Sequence, residues 1–294
     1  MAIFTGAGVA IITPMMANGD VDFPMLEKFI DFQIENGTDC IVITGTTGEA
    51  STLTHEEHIE TIRCAVDAAK KRVPVVAGTG SNCTETAIYL SKEAERVGAD
   101  GVLLVSPYYN KATQRGLYEH FADTAHAINI PVILYNIQGR TGVNIAPSTV
   151  ASLVKDVDNI VGIKEASGDI SQIADIMQLT DGQIDLYSGN DDQVVPLMSL
   201  GGKGVISVLS NIAPRETHDM VQKFLDGDVK GSLELQMKYL PLIHALFSEV
   251  NPIPVKKAVS LIGYCQGAVR KPLTVMEEAH AAVLMDEMKK VGLI

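Results

Sequence analysis

The chain has no tryptophan, and aromatic residues make up only 5% of its 294 positions. Positive charge is also scarce: 23 lysines and arginines face 36 aspartates and glutamates, a formal net charge of −13. A nucleic-acid partner needs a positive footprint on the protein, so that class of function is set aside. Small anionic substrates need only a few local donors and stay within scope. The four cysteines form no C-x-x-C pair; Cys40 opens an apolar run and Cys64 sits in a helical pattern, which reads as core thiols in a reducing compartment. No apolar run reaches the roughly 18 residues of a membrane span, and Met1–Thr5 carries no basic leader. No membrane association is expected, and a cytoplasmic location is.

Cofactor motifs are missing too. Gly78-x-Gly80 is followed by Cys83 where a dinucleotide fingerprint needs a third glycine, and there is no Walker pattern. None of the seven histidines falls at the end of a strand-like run, which argues against a histidine triad or zinc centre inside a barrel. His55-Glu56-Glu57-His58 spaces its histidines by three rather than four, and reads as the first turns of an exposed helix. Asn190-Asp191-Asp192 reads as a helix start rather than a divalent-metal site. No metal or cofactor is expected.

What is abundant is hydrophobic residues, at 46%, and glycine, at 25 positions. Strand-like runs occupy Val9–Met15, Cys40–Gly45, Val73–Gly80, Gly101–Pro107, Pro131–Asn136, Ile160–Ser167, Asp185–Asn190 and Gly204–Asn211. Helical patterns follow near 23–35, 54–70, 84–97, 114–127, 147–154, 170–179, 192–199 and 214–225. Thr54 with Glu57 forms a capping box, and Pro147 and Pro214 suit first helical turns. Eight strands alternating with eight helices imply parallel strands with right-handed crossovers. An open doubly wound sheet satisfies the alternation, but the even count and repeat length favour an α/β (β/α)8 TIM barrel over residues 1–225. Residues 226–294 read as a C-terminal helical appendage, with helices near 229–248, 254–263 and 275–291.

In such a barrel, chemistry gathers at the C-terminal strand ends. The sixth run, Ile160-Val161-Gly162-Ile163-Lys164-Glu165-Ala166-Ser167, places a lysine inside an apolar strand. Desolvation lowers the pKa of an amine and frees it to attack carbonyl carbon. Taken alone, Lys164 also reads as a strand-edge lysine that snorkels or pairs with Glu165. The other strand ends supply Gly45-Thr46-Thr47-Gly48, Tyr108-Tyr109, Tyr135 and, just beyond, Arg140. Each has an ordinary structural reading. Together they suit imine chemistry on a 2-oxo acid, with Tyr135 and the Thr46 and Thr47 hydroxyls carrying protons toward Tyr109. The Thr46–Thr47 turn offers amides to one carboxylate and Arg140 offers a fork to a second.

These segments, with Gly162-Ile163-Lys164-Glu165-Ala166 and Asn251-Pro252-Ile253-Pro254-Val255-Lys256, resemble the dihydrodipicolinate synthase family of pyruvate-dependent lyases from about residue 4 to the C-terminus. The resemblance implies condensation of pyruvate with L-aspartate 4-semialdehyde, the entry to the diaminopimelate route to lysine, in a homotetramer built as a dimer of dimers. It implies Lys164 as the Schiff-base lysine, Tyr135 as the central proton-transfer group and Thr47 as the relay threonine. Thr46 and Thr47 would hold the pyruvate carboxylate and Arg140 the semialdehyde carboxylate. Tyr109 would cross the tight dimer interface, and the Ile206 carbonyl would lie near the site. The alternatives are N-acetylneuraminate lyase or a 2-keto-3-deoxy sugar-acid aldolase; Thr46 and Arg140 favour the synthase.

Two departures carry expectations of their own. Tyr135-Asn136-Ile137-Gln138-Gly139-Arg140 lacks the family's proline, which implies a looser loop under Arg140. Ser51, His55, His58, Asn82 and Tyr108 resemble the lysine-inhibitor site of regulated members. Where those carry glutamate this chain has Thr86, with Glu85 one residue away, so weak or absent inhibition by lysine is expected.

Overall fold

Apolar runs bounded by turn-forming residues pair side by side here because almost every strand residue is buried, leaving both faces in need of cover. The computed structural model describes residues 2–294. The chain runs β1 (Gly6–Ala10), α1 (Phe23–Glu35), β2 (Cys40–Ile43), α2 (His55–Ala69), β3 (Val75–Gly78), α3 (Thr84–Val97), β4 (Gly101–Val105) and α4 (Gln114–His126). It continues through β5 (Val132–Asn136), α5 (Gln138–Thr141), α6 (Pro147–Asp156), β6 (Ile160–Glu165), α7 (Ile170–Leu179), β7 (Asp185–Ser188), α8 (Val194–Ser199), β8 (Gly204–Ser207) and α9 (Pro214–Leu225). Helices α10 (Val229–Leu246), α11 (Ile253–Leu261) and α12 (Glu278–Val291) complete it. No helix among the described residues is long and apolar enough to cross a membrane.

The eight strands close into a parallel barrel in sequence order, β1 pairing with β8. Closure is tight at its seam. A Cβ at Gly204, where φ is +156°, would lie 1.8 Å from the Gly6 carbonyl oxygen, so only glycine fits. The barrel interior is filled by Val42, Val76, Leu103, Ile133, Tyr187 and Ile206, among others. Its lower mouth is plugged by Phe4, whose ring stacks on Tyr187 at 4.4 Å while the Tyr187 hydroxyl donates to the Phe4 carbonyl at 2.7 Å.

Local signals explain the helix starts. The Thr54–Glu57 capping box is reciprocal, with the Glu57 amide donating to Thr54 Oγ1 at 3.2 Å and the Thr54 amide to Glu57 at 2.9 Å. Pro147 and Pro214 occupy first-turn positions.

The first strand departs from the sequence reading: β1 ends at Ala10, although burial continues to Met15. Beyond it, Asn211 replaces ladder partners, its Nδ2 donating to the Ala10 carbonyl at 2.9 Å and its Oδ1 accepting from the Ile12 amide at 3.0 Å. Apolar run and strand therefore do not coincide. Gln138–Thr141 is one helical turn rather than a loose loop. Helix α12 starts at Glu278, three residues later than the pattern suggests.

Candidate active site

The position of Lys164 depends on an irregularity in the sheet. Along β5 and β6, Val132 pairs with Ile160 but Ile133 pairs with Gly162, so Val161 is an extra residue. Side chains alternate faces along a strand, and one inserted residue flips that alternation. Beyond the bulge Tyr135 pairs with Lys164, and both side chains enter the barrel. The Lys164 Nζ lies 4.2 Å from the Tyr135 ring centroid, within cation–π range.

Both groups are stripped of water. Burial lowers the Lys164 amine from 10.5 to about 8; the Asp191 carboxylate pulls it back up and the Arg140 guanidinium pushes it down. Burial raises the Tyr135 phenol to about 12, opposed by Arg140 and by a hydrogen bond with the Thr46 side chain. Glu165 does not pair with Lys164. It faces the other side of β6, accepting from Asn136 Nδ2 at 3.2 Å and from the Ser167 amide at 2.8 Å. The snorkelling and Glu165-paired readings of Lys164 thus fail.

Thr46, Tyr135 and Arg140 line one cavity of about 380 Å³. The turn after β2 starts at Thr44, held at φ +52°, a strained value for a β-branched residue. Among the described residues, neither the Thr46 nor the Thr47 amide has a hydrogen-bond partner, which leaves two donors for an anion. Arg140 Nη2 donates to the Asn251 carbonyl at 3.1 Å, tethering the guanidinium to the segment between α10 and α11. Ile206 is 1% exposed and packs with Tyr135, Ala166 and Tyr187. Tyr109 is not drawn into its own chain's cavity. It stands 90% exposed at φ +74°.

The same cavity extends to Ser51, His55, His58, Thr86 and Tyr108, while Asn82 lies outside its lining. Thr86, not Glu85, faces it, and Glu85 is exposed. His58 corrects the expectation of an exposed histidine pair: His55 is exposed, but His58 is buried with Nε2 2.8 Å from the Gly78 carbonyl. Burial pushes its imidazole down to about 4.

Three further residues escaped the sequence reading. Asp191 opens a helical turn, as its run suggests, but its carboxylate is bonded elsewhere. It is 3% exposed, and its Oδ2 accepts from the Val208 and Leu209 amides at 3.0 and 2.9 Å. Asn251 Nδ2 donates to Thr47 Oγ1 at 3.0 Å, across 204 positions of sequence. Lys256 forms a buried ion pair with Glu49 at the end of the Thr46–Thr47 turn. Asn251 and Lys256 lie in a segment that carries the family resemblance, and Lys256 also stands out as a lysine among Val255, Ala258 and Val259 on a buried helix face.

A closed (β/α)8 barrel whose strand ends converge on a desolvated amine, a phenol and an arginine has the architecture of barrel lyases that work through a lysine imine. Comparison with known proteins narrows the class. The model of the dihydrodipicolinate synthetase family matches residues 3–291, and the chain belongs to that family. It is 67% identical over 294 residues, the whole of both chains, to the 4-hydroxy-tetrahydrodipicolinate synthase of Lachnoclostridium phytofermentans. The dihydrodipicolinate synthase structure from Aquifex aeolicus is 44% identical, covers 99% of each chain and superposes with a TM-score of 0.97. That from Cyanidioschyzon merolae, solved with lysine bound, is 40% identical over 100% of both chains with a TM-score of 0.97.

Proposed function

We infer that the chain carries 4-hydroxy-tetrahydrodipicolinate synthase activity, condensing pyruvate with L-aspartate 4-semialdehyde. The observation that carries the residue assignment is the desolvated Lys164 amine against the Tyr135 ring, beside a cavity that also holds Thr46 and Arg140.

Lys164 attacks the pyruvate ketone, and loss of one water gives the iminium. That cation withdraws electrons, so a C3 proton can leave and the enamine forms. The enamine carbon attacks the aldehyde carbon of the semialdehyde, and its oxygen takes up a proton. The semialdehyde's amine then attacks the iminium carbon and displaces Lys164, closing the ring and restoring the free amine. The net reaction releases one water and balances without metal, nucleotide or redox partner.

Tyr135 and Thr47 carry the protons, completed by Tyr109 from a second copy of the chain. The exposure and left-handed backbone of Tyr109 support that cross-chain role, and with it a homotetramer built as a dimer of dimers. The Thr46 and Thr47 amides hold the pyruvate carboxylate, Arg140 meets the semialdehyde carboxylate, and the Ile206 carbonyl borders the reacting carbon. A cytoplasmic location fits a pathway enzyme of this kind.

The test is borohydride reduction in the presence of pyruvate, read by mass spectrometry, followed by a turnover assay with the semialdehyde coupled to a reductase. A pyruvyl adduct on Lys164 and product formation are expected. Lys164→Ala should form no adduct. Tyr135→Phe should still be trapped but turn over slowly, by roughly the 10²-fold or more attributed to a positioned proton donor. Full activity in either variant contradicts these roles.

A further inference from the structure

The segment joining α10 to α11 reaches over the barrel mouth and touches two of the assigned groups through one residue. Asn251 is 6% exposed. Its side-chain Nδ2 donates to Thr47 Oγ1 at 3.0 Å, and its main-chain carbonyl accepts from Arg140 Nη2 at 3.1 Å. Among the described residues its Oδ1 has no partner.

We propose that Asn251 is a positioning residue for proton transfer, setting the direction of the Thr47 hydroxyl hydrogen with its side chain and the pose of Arg140 with its backbone. The inference rests on the synthase reading and deepens it.

A side-chain amide nitrogen can only donate. Thr47 Oγ1 must therefore accept from it, which leaves its single hydrogen free for a phenol oxygen of the proposed relay. The reversed amide would leave both of its N–H donors unpaired, whereas the present one leaves one N–H and the Oδ1 acceptor, and buried N–H groups without a partner are the rarer of the two. The backbone around Asn251 is fixed on its far side by Lys256, one turn along α11, through the buried pair with Glu49. Glu49 also accepts from the Arg270 amide at 3.0 Å, and Arg270 Nη1 donates to the Thr52 carbonyl at 2.7 Å. The C-terminal region thus grips the turn at Thr47 and again at Glu49, and among the described residues Asn251 makes its one hydrogen bond to the Thr47 hydroxyl.

The experiment is a double-mutant cycle on the full-length enzyme. Asn251→Ala deletes the donor. Asn251→Asp keeps the shape but can only accept when ionised, so the Thr47 hydrogen turns toward it and leaves the relay. Each should lower kcat by roughly 10²-fold, the low end of general acid–base effects. The KM for the semialdehyde should change much less, because Arg140 is bonded to the backbone. The pyruvate adduct should still be trapped, and melting temperatures checked alongside would show that both variants fold.

The deciding measurement is Thr47→Val with and without Asn251→Ala. If Asn251 acts through Thr47, the double variant is no slower than Thr47→Val alone. An additive loss, or wild-type kcat in Asn251→Ala, overturns the proposal while leaving the synthase reading intact. Absence of product from the unmutated enzyme overturns both.

Discussion

Lys256 and Glu49 form an ion pair in which each side chain is 1% exposed. The pair joins α11 to the turn after β2. Lys256 Nζ also donates to the Ala268 carbonyl at 2.7 Å, so the ammonium does not rely on the carboxylate alone. Burial lowers its pKa, and Glu49 pulls it back up. Removing one partner of such a pair leaves a bare charge in the core. Lys256→Met should therefore cost about 3–5 kcal/mol in urea unfolding, and the paired change Lys256→Met with Glu49→Leu should recover much of it. A single variant as stable as the parent would mean that water reaches the carboxylate.

In its proposed role the Lys164 amine attacks only when neutral, and burial lowers its pKa to about 8. Below that pH, kcat/KM for pyruvate should fall tenfold per pH unit. The charged groups acting on the amine are Asp191 and Arg140. Arg140→Met removes a positive neighbour, so the amine's pKa rises and the acid limb should move to higher pH. Stability is linked to the same proton. The unfolded amine keeps its ordinary 10.5, so the unfolded chain binds more protons between pH 8 and 10.5, and stability should rise across that window. Lys164→Met should abolish this rise and be more stable at pH 7 by roughly 3 kcal/mol. An acid limb unmoved in Arg140→Met would remove the guanidinium from the electrostatics of the amine.

Gly189 backs the lysine stem. A Cβ there would lie 2.7 Å from the Ala166 Cβ and 3.1 Å from both the Glu165 carbonyl oxygen and the Lys164 Cε. Gly189→Ala should cost about 1–3 kcal/mol through overpacking. It should also slow adduct formation, because the displaced stem misaims the amine. An unchanged trapping rate would show that Lys164 tolerates the shift.

Thr86 faces the cavity beside His55, His58 and Tyr108, at the position where the sequence resemblance expects a glutamate in lysine-regulated members. L-lysine should bind weakly or not at all by titration calorimetry. Thr86→Glu should improve binding at least about tenfold, the effect of one charge-assisted hydrogen bond. Tight binding by the unchanged chain would overturn this.

The barrel and most helix bounds were legible because they rest on local signals: apolar runs of strand length, the Thr54–Glu57 box, and the prolines at 147 and 214. The strand-end rule also picked Lys164, Tyr135, Thr46 and Arg140, since in a parallel barrel position along the strand fixes depth. The partners of the Asp191 carboxylate and the burial of His58 were not legible because those partners, Val208 and Leu209 for one and Gly78 for the other, come from different strand ends.

The sequence by itself determined the alternation of strands and helices, and therefore which residues reach the barrel mouth, because hydrophobic period and chain order suffice for that. Only the tertiary structure decided which way those residues point. The extra residue Val161 sets the parity that turns Lys164 toward Tyr135, and Asn251 meets Thr47 from 204 positions away. A bulge depends on the neighbouring strand and a long-range hydrogen bond on closure of the whole barrel, and neither leaves a local trace.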